Sequence, residues 1–225
     1  MDFGKPISYA GGTPPVRRFS DGFVRTTGIG PNWTLGYHDP TKAGAFNPTI
    51  SMNTTGNLIF QNATGGGSYA HVPLVPNVVG ALNGKTQFAE LKWTAGAVNA
   101  ADLGPAVAFE NNDLIVGGAM NGYFAAIKPN VNRIDVEYCD TALTVIQANV
   151  SALAIGDTLK ISVTFGAASN LIQVFRNGAV VFTKTDTVGS PAGLPSSGLP
   201  AIYFGAGVAG ASISVTNFRC GPGTN

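Results

Sequence analysis

Arg133-Ile-Asp135-Val-Glu137 is the stretch in which titratable residues recur at a fixed spacing. Alternate positions of a strand share a face. A strand from Arg133 to Cys139 therefore sets Arg133, Asp135 and Glu137 on one side and Ile134, Val136 and Tyr138 on the other. A guanidinium two residues before a pair of carboxylates favours a charge cluster on a solvated strand face. A patch for a polar ligand or partner is the alternative.

Other chemistries find less. His38 and His71 are the only histidines, and neither stands in a triad motif. Gly65-Gly-Gly67-Ser68 runs into Tyr69 and Pro73 with no helix and no Lys-Ser/Thr after it, so it reads as a turn rather than a phosphate loop. Asn32, Asn53, Asn62 and Asn149 open N-x-S/T sequons, which count only in a eukaryotic secretory pathway. Cys139 and Cys220 are too few for a disulfide framework and not spaced as metal ligands; two free thiols are favoured over one long-range bridge. Among the aromatics, Trp33 shares a strand face with Leu35 and Tyr37, and Trp93 with Leu91 and Ala89, so both read as core. Tyr69 and Tyr123, each beside a Gly-rich or Asn-Gly turn, are the freer candidates for surface contact.

The elements that would position these residues are strands. Trp33 to His38, Asp157 to Gly166 and Arg133 to Cys139 alternate apolar with polar. Leu171 to Arg176 and Ala179 to Lys184 flank Asn177-Gly178, whose positive φ angles suit a tight hairpin. Both arms of that hairpin are apolar on both faces. Further strands are expected at Asn57 to Gln61, Thr86 to Trp93, Pro105 to Glu110, Leu114 to Gly117, Tyr123 to Ile127, Leu143 to Asn149, Ala201 to Gly205 and Ser212 to Phe218. No window holds a helical stripe. So many short strands between turn signals predict an all-β, two-sheet sandwich. Residues 1–18, with Gly4, Pro6, Gly11, Gly12, Pro14 and Pro15 before Arg17 and Arg18, read as an extended arm, and residues 19–225 as one domain.

The chain has 225 residues with 13 basic and 12 acidic side chains, a net charge of +1, which excludes a basic nucleic-acid binder and an acidic tail protein. At 44% hydrophobic it is too apolar for disorder, and at 11% charged it is well below the roughly 25% of ordinary globular chains. Part of its surface is therefore expected to lie against other protein. No run approaches the roughly 18 apolar residues of a membrane span, and the first residues lack the order of a secretory signal.

Phe19-Ser-Asp21-Gly-Phe23-Val-Arg25, followed by Gly28, Gly30 and Trp33, resembles the opening of concanavalin A-like lectin/glucanase jelly rolls, in particular the laminin-G-like branch found in bacterial and phage proteins. Ile155-Gly-Asp157 before an alternating strand, Phe175-Arg-Asn177-Gly178, Lys184-Thr-Asp186-Thr187 and a closing Ile213 to Phe218 fit the same template. The resemblance implies a two-sheet antiparallel jelly-roll β-sandwich whose last strand pairs near the first. It also implies a place for catalysis, because glucanases of this fold carry Glu-x-Asp-x-Glu on one strand. Here Arg133 takes the nucleophile position, so no catalytic residues and no enzyme are expected. Calcium is common in the family, and Asp39, Asp102, Asp113, Asp140 and Asn112 offer oxygens, but no ligand ladder indicates an ion.

The expectation drawn from these features is a non-enzymatic structural virion protein of a tailed phage, a capsid decoration or tail/fibre component. It would be made in the host cytoplasm and located in the virion. Its partners would be other virion proteins and copies of itself, with arm contacts through Arg17 and Arg18, and with neither nucleic acid nor membrane. The alternative is a carbohydrate-binding module attaching to cell-surface or environmental glycans, with Arg133, Asp135, Glu137, Tyr69 and Tyr123 as contacts and no cofactor.

Overall fold

The computed structural model describes residues 18–25, 30–35, 48–62, 70–76, 86–95, 101–109, 122–139, 143–189, 194–195, 199–206 and 212–223. Every regular element among them is a strand. In chain order these are β1 (Phe19–Asp21), β2 (Trp33–Leu35), β3 (Pro48–Met52), β4 (Leu58–Asn62), β5 (Ala70–Pro76), β6 (Thr86–Ala95), β7 (Ala101–Phe109), β8 (Tyr123–Lys128), β9 (Arg133–Cys139), β10 (Leu143–Ala152), β11 (Thr158–Phe165), β12 (Asn170–Arg176), β13 (Ala179–Asp186), β14 (Leu199–Ala206) and β15 (Ser212–Pro222). They form two antiparallel sheets. One has eight strands, in the order β13-β12-β11-β6-β15-β4-β3 with β1 also on β15; the other has seven, in the order β10-β9-β8-β7-β14-β5-β2. Fifteen strands in two layers make the sandwich that the alternating sequence demands.

The core lies between the sheets, where the inward positions of each strand meet. Leu159, Ile161, Val163 and Phe165 enter it from β11, and Ile134, Val136 and Tyr138 from β9, the sets picked out by alternation. Phe60 of one sheet stacks on Phe204 of the other with ring centroids 5.0 Å apart. Trp33 and Trp93 are both buried in this core. Trp33 gathers Phe19, Phe23 and Phe218 around its indole at 5.3, 5.7 and 5.2 Å.

Strand β15 holds the eight-stranded sheet together, since its first half pairs β4, its second half pairs β1, and its other edge pairs β6. The last strand thus pairs with the first, as the resemblance implies. The change of partner falls at a register shift between Thr216 and Arg219, where Asn217 has φ 52°. The Thr216 hydroxyl there donates to the Gly56 carbonyl. Gly56 has φ +82°, and a Cβ on it would lie 2.6 Å from the Gly22 carbonyl oxygen. Neither the angle nor the space admits a side chain.

Two strands escape the sequence pattern. β3 is short, and β5, Ala-His-Val-Pro-Leu-Val-Pro, carries two prolines that argue against a strand with neighbours on both edges. β5 is nevertheless paired on both sides. Its partner β2 covers only Leu74 to Pro76, so Pro73 has a paired neighbour only on the β14 side. Of the strand expected from Trp33 to His38, Trp33–Leu35 is a strand and residues 36–38 lie outside the described residues, as do Leu114 to Gly117 and arm residues 1–17. The two-sided apolar hairpin splits: Ile172 and Val174 enter the core, while Leu171 and Val180 are exposed. Phe175 lies under the Lys160 ammonium, 3.9 Å from its ring centre.

Gly56→Ala is expected to lower stability by about 1–3 kcal/mol through the left-handed backbone and the Gly22 clash together. Gly156→Ala, at φ +97° with nothing within 4 Å, is expected to lose only the backbone part. Urea midpoints of the two variants, at unchanged m, measure the difference.

Candidate functional site

The Arg133, Asp135 and Glu137 face lies on the outward side of the seven-stranded sheet. β8 and β9 are joined across residues 129–132, and the register sets Phe124 opposite Glu137, Ala126 opposite Asp135 and Lys128 opposite Arg133. This brings a second base to the cluster. The Lys128 ammonium lies 2.7 Å from Glu137 Oε1, and Arg133 lies 2.9 Å from Asp135 through both Nε and Nη2. The backbone N–H of Asn149, on β10, donates to Asp135 Oδ1 at 2.7 Å.

This face is not solvated, which corrects the reading as a surface charge cluster. Asp135 and Glu137 are each 1% exposed. Their neighbours Phe124, Ala126, Ala106, Ala201 and Tyr203 are buried too, forming a small apolar cluster of their own. The Phe124 and Tyr203 rings pack with centroids 4.7 Å apart. Carboxylates in such surroundings stay charged only when matched, and here each meets its own base. The accessible part is the rim: the Arg133 side chain is 38% exposed and Lys128 16%.

Tyr123 does not belong to that face, and its assignment as a surface contact is corrected. It is fully buried on the inward side, opposite Tyr138, with a ring-centroid separation of 5.3 Å. Both phenols donate to Asp186 Oδ2 at the end of β13, Tyr123 at 2.8 Å. Asn170 Nδ2 donates to the Tyr123 oxygen at 3.0 Å and to the Pro195 carbonyl at 2.7 Å, and the N–H groups of Val188 and Gly189 donate to Asp186 Oδ1. Burial pushes both phenol pKa values upward, Tyr123 more. Burial also works against the Asp186 charge, but the two phenols and two N–H groups outweigh it and leave its pKa below the ordinary carboxylate value. Its oxygens are filled by donors, so it is no cation ligand.

Two further aspartates from the quoted motifs organise turns. Asp21 accepts from the Phe23 N–H, from Arg25 and, at 2.8 Å, from Trp33 Nε1, which explains the spacing of Asp21, Phe23, Arg25 and Trp33. Asp157 accepts from the Ala154 N–H, Arg176 and Asn177, tying the turn before β11 to the Asn177-Gly178 hairpin. Tyr69, Arg17, Asp39, Asn112, Asp113 and Asp140 lie outside the described residues, and Asp102 is on β7. Arg18 is exposed. Cys220 is a free, buried thiol whose pKa burial pushes up. Among the described residues no group of three or more His, Cys, Asp or Glu could hold a metal ion. Lys128 and Asp186 were the functional side chains that sequence reasoning missed. Lys128 could have been found by folding residues 128–133 into a hairpin; Asp186 lies 63 residues from one partner and 48 from the other, with no local signal.

The sequence matches no family model and no curated protein. The fold matches solved structures. A laminarinase from Flavobacterium sp. UMI-01 superposes with TM-score 0.55 at 10% identity, over 90% of this chain and 98% of that one. The carbohydrate-binding module CBM66 from Bacillus subtilis gives 0.50 at 13%, over 83% and 94%. Peanut lectin gives 0.50 at 12%, over 93% and 99%. These likenesses show the fold, the concanavalin A-like jelly roll, which serves hydrolases and sugar binders alike. Activity has to be argued from the site.

The Asp186 cluster generates an acid-stability prediction. Its folded pKa lies below the unfolded value of about 3.9, so it stabilises fully above that value, and the contribution is lost as pH falls through the folded pKa. Asp186→Asn is expected to cost about 1–3 kcal/mol at pH 7, because an amide cannot accept from four donors. The variant is also expected to show a shallower loss of stability below about pH 4, read from unfolding midpoints across pH.

Proposed function

We propose that the chain is a non-catalytic carbohydrate-binding module. The observation that carries this reading is the state of Asp135 and Glu137. Both are shut from solvent and bound to bases, Asp135 to Arg133 and Glu137 to Lys128. Hydrolysis of a glycosidic bond needs one carboxyl that holds a proton and another that reaches the sugar or a water. Paired, buried carboxylates supply neither. What the pairing does supply is fixed direction: Arg133 is held at the rim with part of its side chain accessible, so it meets sugar hydroxyls without losing side-chain freedom on binding. The named functions of a module and a lectin with this fold support the choice of ligand class.

A second reading, a structural subunit of a tailed-phage virion, is favoured by one observation. Charge is only 11% of the chain, and Val145, Val180 and Val188 are at least half exposed, which suits contact with other protein.

The expected outcome is binding of neutral gluco-oligosaccharides without release of reducing sugar. Arg133→Ala should weaken that binding by about tenfold. Calorimetry against a panel of soluble oligosaccharides, with a reducing-end assay run beside it, checks both parts. Turnover that disappears in Glu137→Gln overturns the non-catalytic reading, and a folded chain that binds no glycan overturns the module.

A further inference from the structure

The turn between β12 and β13 carries a chemistry of its own. Asn177 is followed by Gly178, which has no side chain to hinder its backbone nitrogen, so the Asn177 amide carbon is open to attack by the residue after it. Asn177 has φ 51° and Gly178 φ +81°, and a Cβ on Gly178 would meet nothing within 4 Å. Both residues are exposed, so water reaches the turn.

The Asn177 amide is nevertheless held at both ends by the turn before β11. Its Nδ2 donates to Asp157 Oδ1 at 2.6 Å, its Oδ1 accepts from the Thr158 N–H at 2.8 Å, and the Asn177 backbone N–H donates to the Thr158 carbonyl at 2.9 Å. Asp157 is buried and is itself fixed, its Oδ2 accepting from the Ala154 N–H at 2.8 Å and from Arg176 Nε at 2.7 Å. Burial works against the Asp157 charge, but its donors outweigh that and leave its pKa below the ordinary carboxylate value. The amide thus faces a charged acceptor that does not move.

We propose that Asn177 is a deamidation site gated by the fold, with Asp157 holding it shut. In the reaction the Gly178 nitrogen bonds to Asn177 Cγ and the Cγ–Nδ2 bond breaks. The proton lost from Gly178 leaves with the amide nitrogen as ammonia, and one water opens the resulting succinimide to aspartate or isoaspartate. No oxidant or cofactor takes part. Ring closure turns the side chain and makes Cγ tetrahedral, so both ends of the amide must leave their partners. While Asp157 and Thr158 hold them, the step waits on local opening of the turn. The product does not fit the closed turn, because a carboxylate at 177 sets a second negative charge where a donor had met Asp157 Oδ1 at 2.6 Å. A chain that has opened here once therefore closes less firmly on the hairpin whose second strand ends at Asp186. None of this depends on glycan binding.

The test is peptide mapping by mass spectrometry of the full chain aged at neutral pH, following amide-to-acid conversion at Asn177 in the native state and in concentrated guanidinium chloride. The native chain is expected to convert about tenfold more slowly than the denatured one, or slower still. Asp157→Ala, checked as folded by its tryptophan fluorescence, is expected to lose most of that protection. Asn177→Asp, which supplies the product directly, is expected to lower the urea midpoint, and to lower it less when Asp157→Ala is also present. The native-to-denatured comparison and the Asn177→Asp midpoint need no Asp157 variant, so the test stays decisive if Asp157→Ala unfolds. Three outcomes overturn the proposal: equal conversion in native and denatured chains, a folded Asp157→Ala that converts no faster than wild type, or an Asn177→Asp variant as stable as wild type.

Discussion

The buried carboxylate of Asp186 sets conditions that much of the molecule follows. It ends the outer strand of the eight-stranded sheet, and its phenol partners belong to two adjacent strands of the other. A charge in that position is tolerable only if donors surround it, and the four that do come from both layers. Tyr123 and Tyr138 must therefore point inward together, and the register that sets them opposite each other follows. Once that parity is fixed, Phe124, Ala126 and Lys128 on one strand and Glu137, Asp135 and Arg133 on the other must all face outward. The candidate site is the reverse side of the Asp186 clamp.

That relation explains which parts were legible in the sequence. Alternation is a local property, so it delivered the sandwich, the inward set of β9 and the shared face of Arg133, Asp135 and Glu137. The Asn177-Gly178 hairpin was legible for the same reason, since two residues dictate the turn. Burial of the outward face is not local. The sequence of β9 looks the same whether its polar side meets water or chain, and nothing near Asp135 announces its burial. Tyr123 was misplaced because the turn before it promised exposure, while the partner that buries it stands 63 residues on. Pro73 and Pro76 hid β5 because a proline forbids a bond on one edge only, and which edge matters is decided by the short reach of β2.

The pairing on the seven-stranded face is also what the proposed binding role depends on. A buried ion pair gains little net stability over apolar packing, because the attraction is offset by the loss of hydration. Breaking one side of it is costly, since the remaining charge is stranded. Arg133 and Lys128 thereby lock the Asp135 and Glu137 side chains in place on the sheet. The same lock holds the two bases at a fixed height above the sheet. Such rigidity favours the proposed recognition, in which donors lose less freedom on binding when they are already held.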